Sequence, residues 1–197
     1  MLLLINGAPG VGKSSLAQRY ADKHPLALII DIDAIRTRLG QWAELDESKL
    51  VARDLALALT RAHMRNGYDV IVPQYLGRPE YREQLRSLAE ESNVPFVEVL
   101  LTDDADRIVR RFRKRRAEYA STGAQHPEGD LSDDAVATEV PRANEALLRD
   151  ATSRGVLVVS ATGGADASYV ALREGLAADA NRPRPRSSQV SEAEGNS

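Results

Sequence analysis

The chain has 197 residues, of which 43% are hydrophobic and 28% charged, and its formal net charge is −3. This composition predicts one globular domain with a full core, and the negative charge argues against a generally basic nucleic-acid-binding surface. The chain contains no cysteine, which excludes disulfides, thiolate metal sites and cysteine nucleophiles. No apolar stretch approaches the roughly 20 residues that cross a bilayer, so we expect a cytoplasmic protein without a membrane partner.

Short apolar runs alternate with longer amphipathic runs along the chain, which predicts a parallel sheet flanked by helices. The predicted strands are Leu2–Asn6, Leu26–Asp31, Val70–Pro73, Phe96–Leu101 and Val156–Ser160. The predicted helices include Ser15–Tyr20, Ala43–Asn66, Pro79–Glu91, a basic helix that Asp103 or Asp104 caps and that runs to Glu118, and a last helix that Asp166 caps. The fold class is therefore α/β with five parallel strands.

Two polar segments are predicted to lack regular structure. Residues Tyr119–Asp130 contain two glycines and a proline and are predicted to form a mobile loop. Residues 181–197 are rich in Pro, Arg and Ser, which is typical of a disordered tail. The predicted domain therefore covers residues 1–180.

A glycine-rich segment lies between the first predicted strand and helix. It reads Gly7-Ala8-Pro9-Gly10-Val11-Gly12-Lys13-Ser14 and is followed by Ser15. Glycines let the backbone approach a phosphate closely, and N–H groups at a helix N-terminus attract an anion. Strand, loop and helix together predict a P-loop that binds ATP through residues 7–15, with Lys13 at the β- and γ-phosphates and the Ser14 hydroxyl on Mg²⁺.

Two carboxylates, Asp31 and Asp33, follow the second strand, and Arg36 comes three residues later. Ligands of open α/β sheets bind at the carboxyl ends of strands, so we expect this group beside the P-loop. On an extended strand, positions i and i+2 face the same side. We expect Asp31 to serve the metal and Asp33 to accept the proton of an attacking hydroxyl. The alternative is that one of them only caps a short helix, Ala34–Leu39.

The P-loop, Asp31-Ile32-Asp33 and Asp33-Ala34-Ile35-Arg36 together resemble the small P-loop kinases. That group includes shikimate and gluconate kinases, chloramphenicol phosphotransferase, zeta-toxin-type kinases and polynucleotide kinases. The resemblance implies a nucleoside-monophosphate-kinase-like P-loop NTPase fold with a lid. In shikimate-type kinases, the residue that matches Asp31 helps to bind the metal, and the residue that matches Asp33 contacts the substrate hydroxyl. In polynucleotide kinases those that match Asp33 and Arg36 are general base and substrate clamp.

The third strand departs from many P-loop proteins, because Pro73 and Gln74 stand where an Asp would support the metal. This departure places more weight on Asp31 as the metal-supporting carboxylate. The pieces Ile71-Val72-Pro73 and Pro79-Glu80-Tyr81 resemble the tunicamycin-resistance protein, another small P-loop protein. That resemblance adds antibiotics and antibiotic resistance to the candidate functions.

The basic helix follows the fourth strand, where kinases of this architecture carry a lid, here about residues 107–131. Arg111 and Arg115 are four residues apart and share a helix face. Their planar guanidinium groups are expected to stabilise charge on a transferring phosphoryl group. The alternative is a patch that binds polyanions.

These patterns predict an ATP- and Mg²⁺-dependent kinase that phosphorylates a hydroxyl of a small molecule, such as a sugar, a nucleoside or an antibiotic. One alternative is a polynucleotide 5′-hydroxyl kinase, which Asp33, Arg36 and the basic helix favour and the net charge opposes. Another is a nucleotide-binding regulatory module, which the Asp pair opposes. Trp42 and Tyr75 are candidates for an acceptor pocket, and Ser160–Gly163 for the border of the adenine ring.

Overall fold

The computed structural model describes residues 1–121 and 132–180. Its strands are β1 (Leu2–Asn6), β2 (Leu28–Ile29), β3 (Val70–Pro73), β4 (Phe96–Thr102) and β5 (Leu157–Ser160). Its helices are α1 (Lys13–Ala21), α2 (Ile32–Arg36), α3 (Ser48–Met64), α4 (Pro79–Glu91), α5 (Ala105–Ser121), α6 (Asp133–Ser153) and α7 (Gly164–Ala180). All strand pairs are parallel, in the order β2-β3-β1-β4-β5. The predicted α/β fold with a five-stranded parallel sheet is therefore confirmed.

The central strand β1 is buried on both faces of the sheet. Leu3 and Ile5 belong to one hydrophobic core, which also contains Phe112 of α5. Leu2 and Leu4 belong to the core on the other face, together with side chains of α3 and α4. This arrangement explains the continuous apolar run in the sequence, since a strand covered by helices on both sides needs no polar face.

β2 is shorter than predicted, and the chain leaves the extended conformation between Asp31 and Asp33. Leu26 has a φ of 60°, and only Leu28–Ile29 pairs with β3. The carboxylate of Asp31 then accepts the N–H of Ala34 at 3.0 Å and caps α2. Asp33 lies in the first turn of α2. The prediction that both carboxylates follow one another along a strand is therefore wrong, and the predicted capping alternative applies to Asp31.

The N-terminal boundaries of α3 and α7 differ from those predicted. α3 begins at Ser48 rather than at Ala43, because the chain before it makes successive turns in which Gln41 has a φ of 53°. α7 begins at Gly164, so Asp166 lies inside its first turn, where it forms an ion pair with Arg19 of α1. That ion pair, rather than a cap, joins α7 to α1.

α5 confirms one of the two predicted caps and is longer than predicted. The carboxylate of Asp104 accepts the N–H of Arg107 at 3.2 Å, which caps the helix. The helix continues to Ser121, so Tyr119–Ser121 is helical rather than loop. The remainder of the predicted mobile loop, the distal part of the predicted lid and the predicted tail at 181–197 lie outside the described residues. Within the described ranges, no helix has the length and apolar character that a membrane crossing requires.

A charged cluster joins β4 to α4 and α6. Arg154 donates to both carboxylate oxygens of Glu98, at 2.6 and 2.9 Å, and to Asp150 at 2.7 Å. Nη1 of Arg82 lies 3.2 Å from Asp150. The hydrogen bonds to Glu98 hold the pKa of Arg154 above its ordinary value. The side chain of Glu98 is only 4% exposed, so its charge depends on these two arginines for compensation.

Candidate active site

The P-loop joins β1 to α1, and two of its glycines have backbone angles that disfavour other residues. Gly12, which directly precedes α1, has a φ of 110°, and Gly10 has a φ of 83°. A Cβ at Gly10 would lie 2.8 Å from the carbonyl oxygen of Ile108 and 3.0 Å from Cβ of Phe112. The loop therefore packs directly against α5, the helix that carries the predicted lid arginines.

Lys13 and Asn6 fix the conformation of the loop from inside. Nζ of Lys13 donates to the carbonyl oxygens of Gly7 at 2.9 Å and Ala8 at 3.1 Å. The buried amide of Asn6 accepts the N–H groups of Gly7 at 2.8 Å and Leu76 at 3.0 Å. Asn6 thus ties the P-loop to the segment after β3. Sequence reasoning missed this role, although a polar residue at the end of an apolar strand is a signal for it.

A cavity of about 340 Å³ brings most of the predicted site residues together. Its lining comes from the P-loop, the start of α2, the end of β3 and α5: Gly10, Gly12, Lys13, Ser14, Ser15, Asp31, Asp33, Pro73, Gln74, Tyr75, Arg111, Arg115 and Tyr119. The other four residues of the predicted P-loop do not line the cavity: Gly7, Ala8, Pro9 and Val11. The cavity therefore joins a phosphate-binding loop to carboxylates and arginines.

The oxygen donors in this cavity fit Mg²⁺. The Ser14 hydroxyl and the carboxylates of Asp31 and Asp33 all line it, and Mg²⁺ prefers oxygen ligands. Capping of α2 uses one oxygen of Asp31, and a carboxylate has a second. Within the described ranges, no cluster of three His, Asp or Glu side chains could hold a metal alone. Mg²⁺ is commonly bound by one or two carboxylates together with the phosphates of a nucleotide.

Arg111 is held between the P-loop and the end of β4. Its Nη1 donates to the carbonyl oxygen of Val11 at 3.2 Å and lies 2.9 Å from a carboxylate oxygen of Asp103. The fully buried Asp103 carboxylate also accepts the Thr162 hydroxyl at 2.9 Å and the Asp104 N–H at 2.8 Å. Burial raises the pKa of Asp103, but these hydrogen bonds and the Arg111 charge outweigh it, so the pKa lies below its ordinary value.

The importance of Asp103 was not predicted. The sequence pattern assigned it only a capping role, which the structure gives to Asp104. Its place directly after β4 was the available signal, since polar side chains at carboxyl ends of strands meet at one edge of the sheet.

The other predicted groups lie on α5 and in the turn after β5. The guanidinium of Arg115 lies 5.5 Å from the centre of the Phe112 ring, and Arg115 lines the cavity beside Tyr119. Nη1 of Arg107 donates to the carbonyl oxygen of Thr162 at 3.3 Å. The predicted adenine border, Ser160–Gly163, is thereby attached to α5.

Arg36 lies outside the cavity lining and contacts the turns before α3. Its Nε donates to the Ser48 hydroxyl at 2.9 Å, and its Nη2 donates to the Trp42 carbonyl oxygen at 3.3 Å. The Ser48 hydroxyl donates to the same carbonyl at 2.7 Å. The guanidinium of Arg36 lies 5.0 Å from the centre of the Trp42 ring. These contacts anchor the Trp42 segment, and a substrate-clamping role for Arg36 stays a prediction.

Comparison with known proteins agrees with this geometry. The family model AAA_33, described as an AAA domain, matches residues 2–130. The adenylate kinase of Chloroherpeton thalassium is 29% identical over 136 residues, which cover 59% of this chain and 59% of that enzyme. The chain therefore spans 59% of the length of that relative.

Two solved structures show the same fold at low sequence identity. Shikimate kinase from Bacteroides thetaiotaomicron has a TM-score of 0.57 at 19% identity, covering 90% of this chain and 98% of that one. The tunicamycin resistance protein of Deinococcus radiodurans has a TM-score of 0.56 at 16% identity, covering 92% and 96%. The predicted resemblance to small P-loop kinases is thus confirmed, and the chain belongs to the AAA_33 family of P-loop kinase domains.

Proposed function

We propose that this chain transfers the γ-phosphoryl group of ATP to a hydroxyl group of a small molecule. One observation carries the proposal: Asp33, a candidate base, shares a single cavity with Lys13, Ser14 and Arg111. Nucleotide binding alone needs the P-loop, whereas a carboxylate beside it is what proton removal from an acceptor requires.

The nucleotide side of the site is formed by the P-loop and α5. Backbone N–H groups at the start of α1 and Nζ of Lys13 would bind the phosphates, with Lys13 leaving the carbonyl oxygens of Gly7 and Ala8. Ser14 and Asp31 would hold Mg²⁺, which neutralises charge on the β- and γ-phosphates when bound. Ser160–Gly163 contacts α5 through the hydrogen bond from Arg107 to the Thr162 carbonyl oxygen, and we expect the adenine ring beside this segment.

Transfer itself uses Asp33 and the two lid arginines. The acceptor oxygen forms a bond to the γ-phosphorus while the bond from that phosphorus to the β–γ bridging oxygen breaks, and ADP leaves. The hydroxyl proton passes to the Asp33 carboxylate. Arg111 and Arg115 donate to the oxygens of the transferred group, where negative charge is spread in the transition state.

The acceptor would enter beside Gln74 and Tyr75, which line the cavity next to Asp33. A second cavity of about 520 Å³ continues from Tyr75 along Arg53 and Arg78, which leaves room for a small molecule. The names of the adenylate and shikimate kinases favour a small acceptor. The tunicamycin resistance protein keeps antibiotics among the acceptors to be screened.

The test is a screen of sugars, nucleosides, antibiotics and a 5′-hydroxyl oligonucleotide with labelled ATP and Mg²⁺. We expect transfer to a small molecule, lost in Lys13→Ala and slowed by about 10²–10⁴-fold in Asp33→Asn. Lys23→Ala and Asp46→Asn change the same residue types at exposed positions and should retain full activity. Calorimetry should show that only Lys13→Ala weakens binding of ATP with Mg²⁺.

Three outcomes would contradict parts of this proposal. Unchanged ATP affinity in folded Lys13→Ala would remove the nucleotide site. Labelling of the oligonucleotide alone would favour the polynucleotide kinase. ATP binding without transfer to any compound in the screen would favour the regulatory module.

A further inference from the structure

One face of α3 is apolar and exposed. Val51, Leu55 and Leu59 are 44%, 42% and 47% exposed, and Ala58 and Ala62 beside them are exposed as well. We call these five residues the α3 stripe. Soluble monomers rarely expose contiguous apolar surface of this kind, and a larger patch marks an interaction site.

The α3 stripe points away from the proposed acceptor cavity. The buried face of α3 is formed by Ala52, Ala56, Thr60 and Met64. Arg53 lines the cavity beside Tyr75 and places its guanidinium 5.6 Å from the centre of the Tyr81 ring. At about 100° per residue, the middle of the stripe lies roughly opposite Arg53 on the helix. The stripe is therefore separate from the substrate side of the helix.

The spacing of the stripe suits a second helix. Val51, Leu55, Ala58 and Ala62 are separated by four, three and four residues, which is the spacing of a coiled-coil seam. In an antiparallel pair of α3 helices, Leu55 of one copy meets Ala58 of the other, and Val51 meets Ala62. A large side chain then faces a small one at every layer, which allows close approach.

Charges beside the stripe select the antiparallel direction. Asp54 and Arg61 are seven residues apart and border the stripe on one side of α3. Antiparallel pairing puts Asp54 of each copy opposite Arg61 of the other, whereas parallel pairing in register puts these two flanks on opposite sides of the seam, where Asp54 and Arg61 do not meet. Arg61 lies 2.9 Å from Glu91 of its own chain but is 45% exposed, so its remaining donors can reach a partner.

We propose that a second copy of this chain covers the α3 stripe, and that the two copies form a symmetric dimer through antiparallel α3 helices. The surface is self-complementary in shape and charge, which is the requirement of a two-fold interface. Leu26, which is 65% exposed, lies near the C-terminal end of α3, where its carbonyl oxygen is 2.7 Å from a ring nitrogen of His63. This proposal does not depend on the proposed reaction.

Sedimentation velocity over a concentration series tests the dimer. We expect wild type to reach dimer mass and Leu55→Glu to remain monomeric, because a buried unpaired charge at the seam opposes association. Leu148→Glu on α6 is the matched control, since Leu148 is also exposed, at 37%, and should leave the dimer intact. Far-ultraviolet circular dichroism confirms that each variant is folded.

Exchanging the charges of Asp54 and Arg61 tests whether the two α3 helices pair in the antiparallel direction. Asp54→Arg alone and Arg61→Asp alone should weaken association by roughly 2- to 30-fold, because each removes two exposed ion pairs. The double variant with Asp54→Arg and Arg61→Asp should recover most of the lost affinity between the two copies.

Because the chain has no cysteine, disulfide trapping adds a geometric test. A mixture of Val51→Cys and Ala62→Cys should give cross-linked dimers on mild oxidation, and either variant alone should give few. A monomer at all concentrations, a dimer that Leu55→Glu leaves unchanged, or cross-links formed equally by each variant alone would each overturn the proposal. Binding of another protein to the stripe by a monomeric chain would also overturn it.

Discussion

Replacing Asp103 by Asn tests whether this buried carboxylate organises the nucleotide side of the site. Its Oδ1 accepts both the Thr162 hydroxyl and the Asp104 N–H, and Nη1 of Arg111 lies 2.9 Å from its Oδ2. Asn keeps one acceptor oxygen, but it loses the negative charge and places an NH₂ group next to the Arg111 guanidinium, which is itself a donor. Hydrogen bonds to a charged group contribute about 1.5–3 kcal/mol and neutral ones about 1 kcal/mol.

Arg111 is 41% exposed, so water compensates for part of its lost ion pair. We therefore expect the free energy of unfolding to fall by about 2 kcal/mol, measured by denaturant titration at neutral pH. Asp106→Asn, an exposed change in the first turn of the same helix, should cost no more than about 0.5 kcal/mol.

The pH dependence makes the test specific. The pKa of Asp103 is lowered in the folded protein, so its stabilising contribution is complete above the unfolded pKa, about 4. The contribution is lost as pH falls through the lower folded pKa. The difference in unfolding free energy between wild type and Asp103→Asn should therefore be constant near neutrality and narrow below about pH 4. Equal stabilities at neutral pH would refute the assigned role of this carboxylate.

Three further predictions concern the loop, the carboxylate pair and the charged cluster. Gly10→Ala should lower the free energy of unfolding by about 1–3 kcal/mol and weaken ATP binding, because its Cβ would lie 2.8 Å from the Ile108 carbonyl oxygen. If denaturant titration and calorimetry gave wild-type values for both, the P-loop could move away from α5 without cost. Asp31→Asn should raise the Mg²⁺ concentration needed for half-maximal turnover, whereas Asp33→Asn should lower turnover at any Mg²⁺ concentration. The reverse pattern in steady-state assays would assign the metal to Asp33 and proton removal to Asp31. Glu98→Gln should destabilise the fold by about 3 kcal/mol without altering ATP affinity, and a folded variant that fails to bind ATP in calorimetry would contradict a purely structural role.

The sheet was predictable because buried parallel strands have a simple sequence signature. β1 and β3 have the predicted bounds, and the phosphate loop lies between β1 and α1 as its glycines require. β2 was not predictable at the same accuracy. It is an edge strand, and α2 begins shortly after it with Asp31 as its cap. A local hydrogen bond from the Ala34 N–H to Asp31 therefore replaced the extended backbone that the spacing of Asp31 and Asp33 had implied.

Side-chain direction was the least predictable property of the site. Asp33 lines the cavity as expected, although it does so from a helix. Arg36 follows Asp33 by three residues, but its guanidinium contacts Ser48 and the Trp42 segment, which are brought to it by the position of α3. Asp103 acquires its partners from α5 and from the turn after β5. Such contacts depend on the packing of distant elements and leave no local periodicity to detect.

The anchoring of the Trp42 segment depends on the backbone of residue 42 more than on its side chain. Both Arg36 and Ser48 donate to the carbonyl oxygen of Trp42, and every residue type carries that acceptor. The ring adds a contact with the guanidinium of the buried Arg36, worth about 0.5–2 kcal/mol. Substitution at this position therefore keeps the backbone in place while changing the side chain that the segment presents. Such a change would leave the phosphate-binding loop undisturbed, because that loop rests on separate contacts with Asn6 and α5.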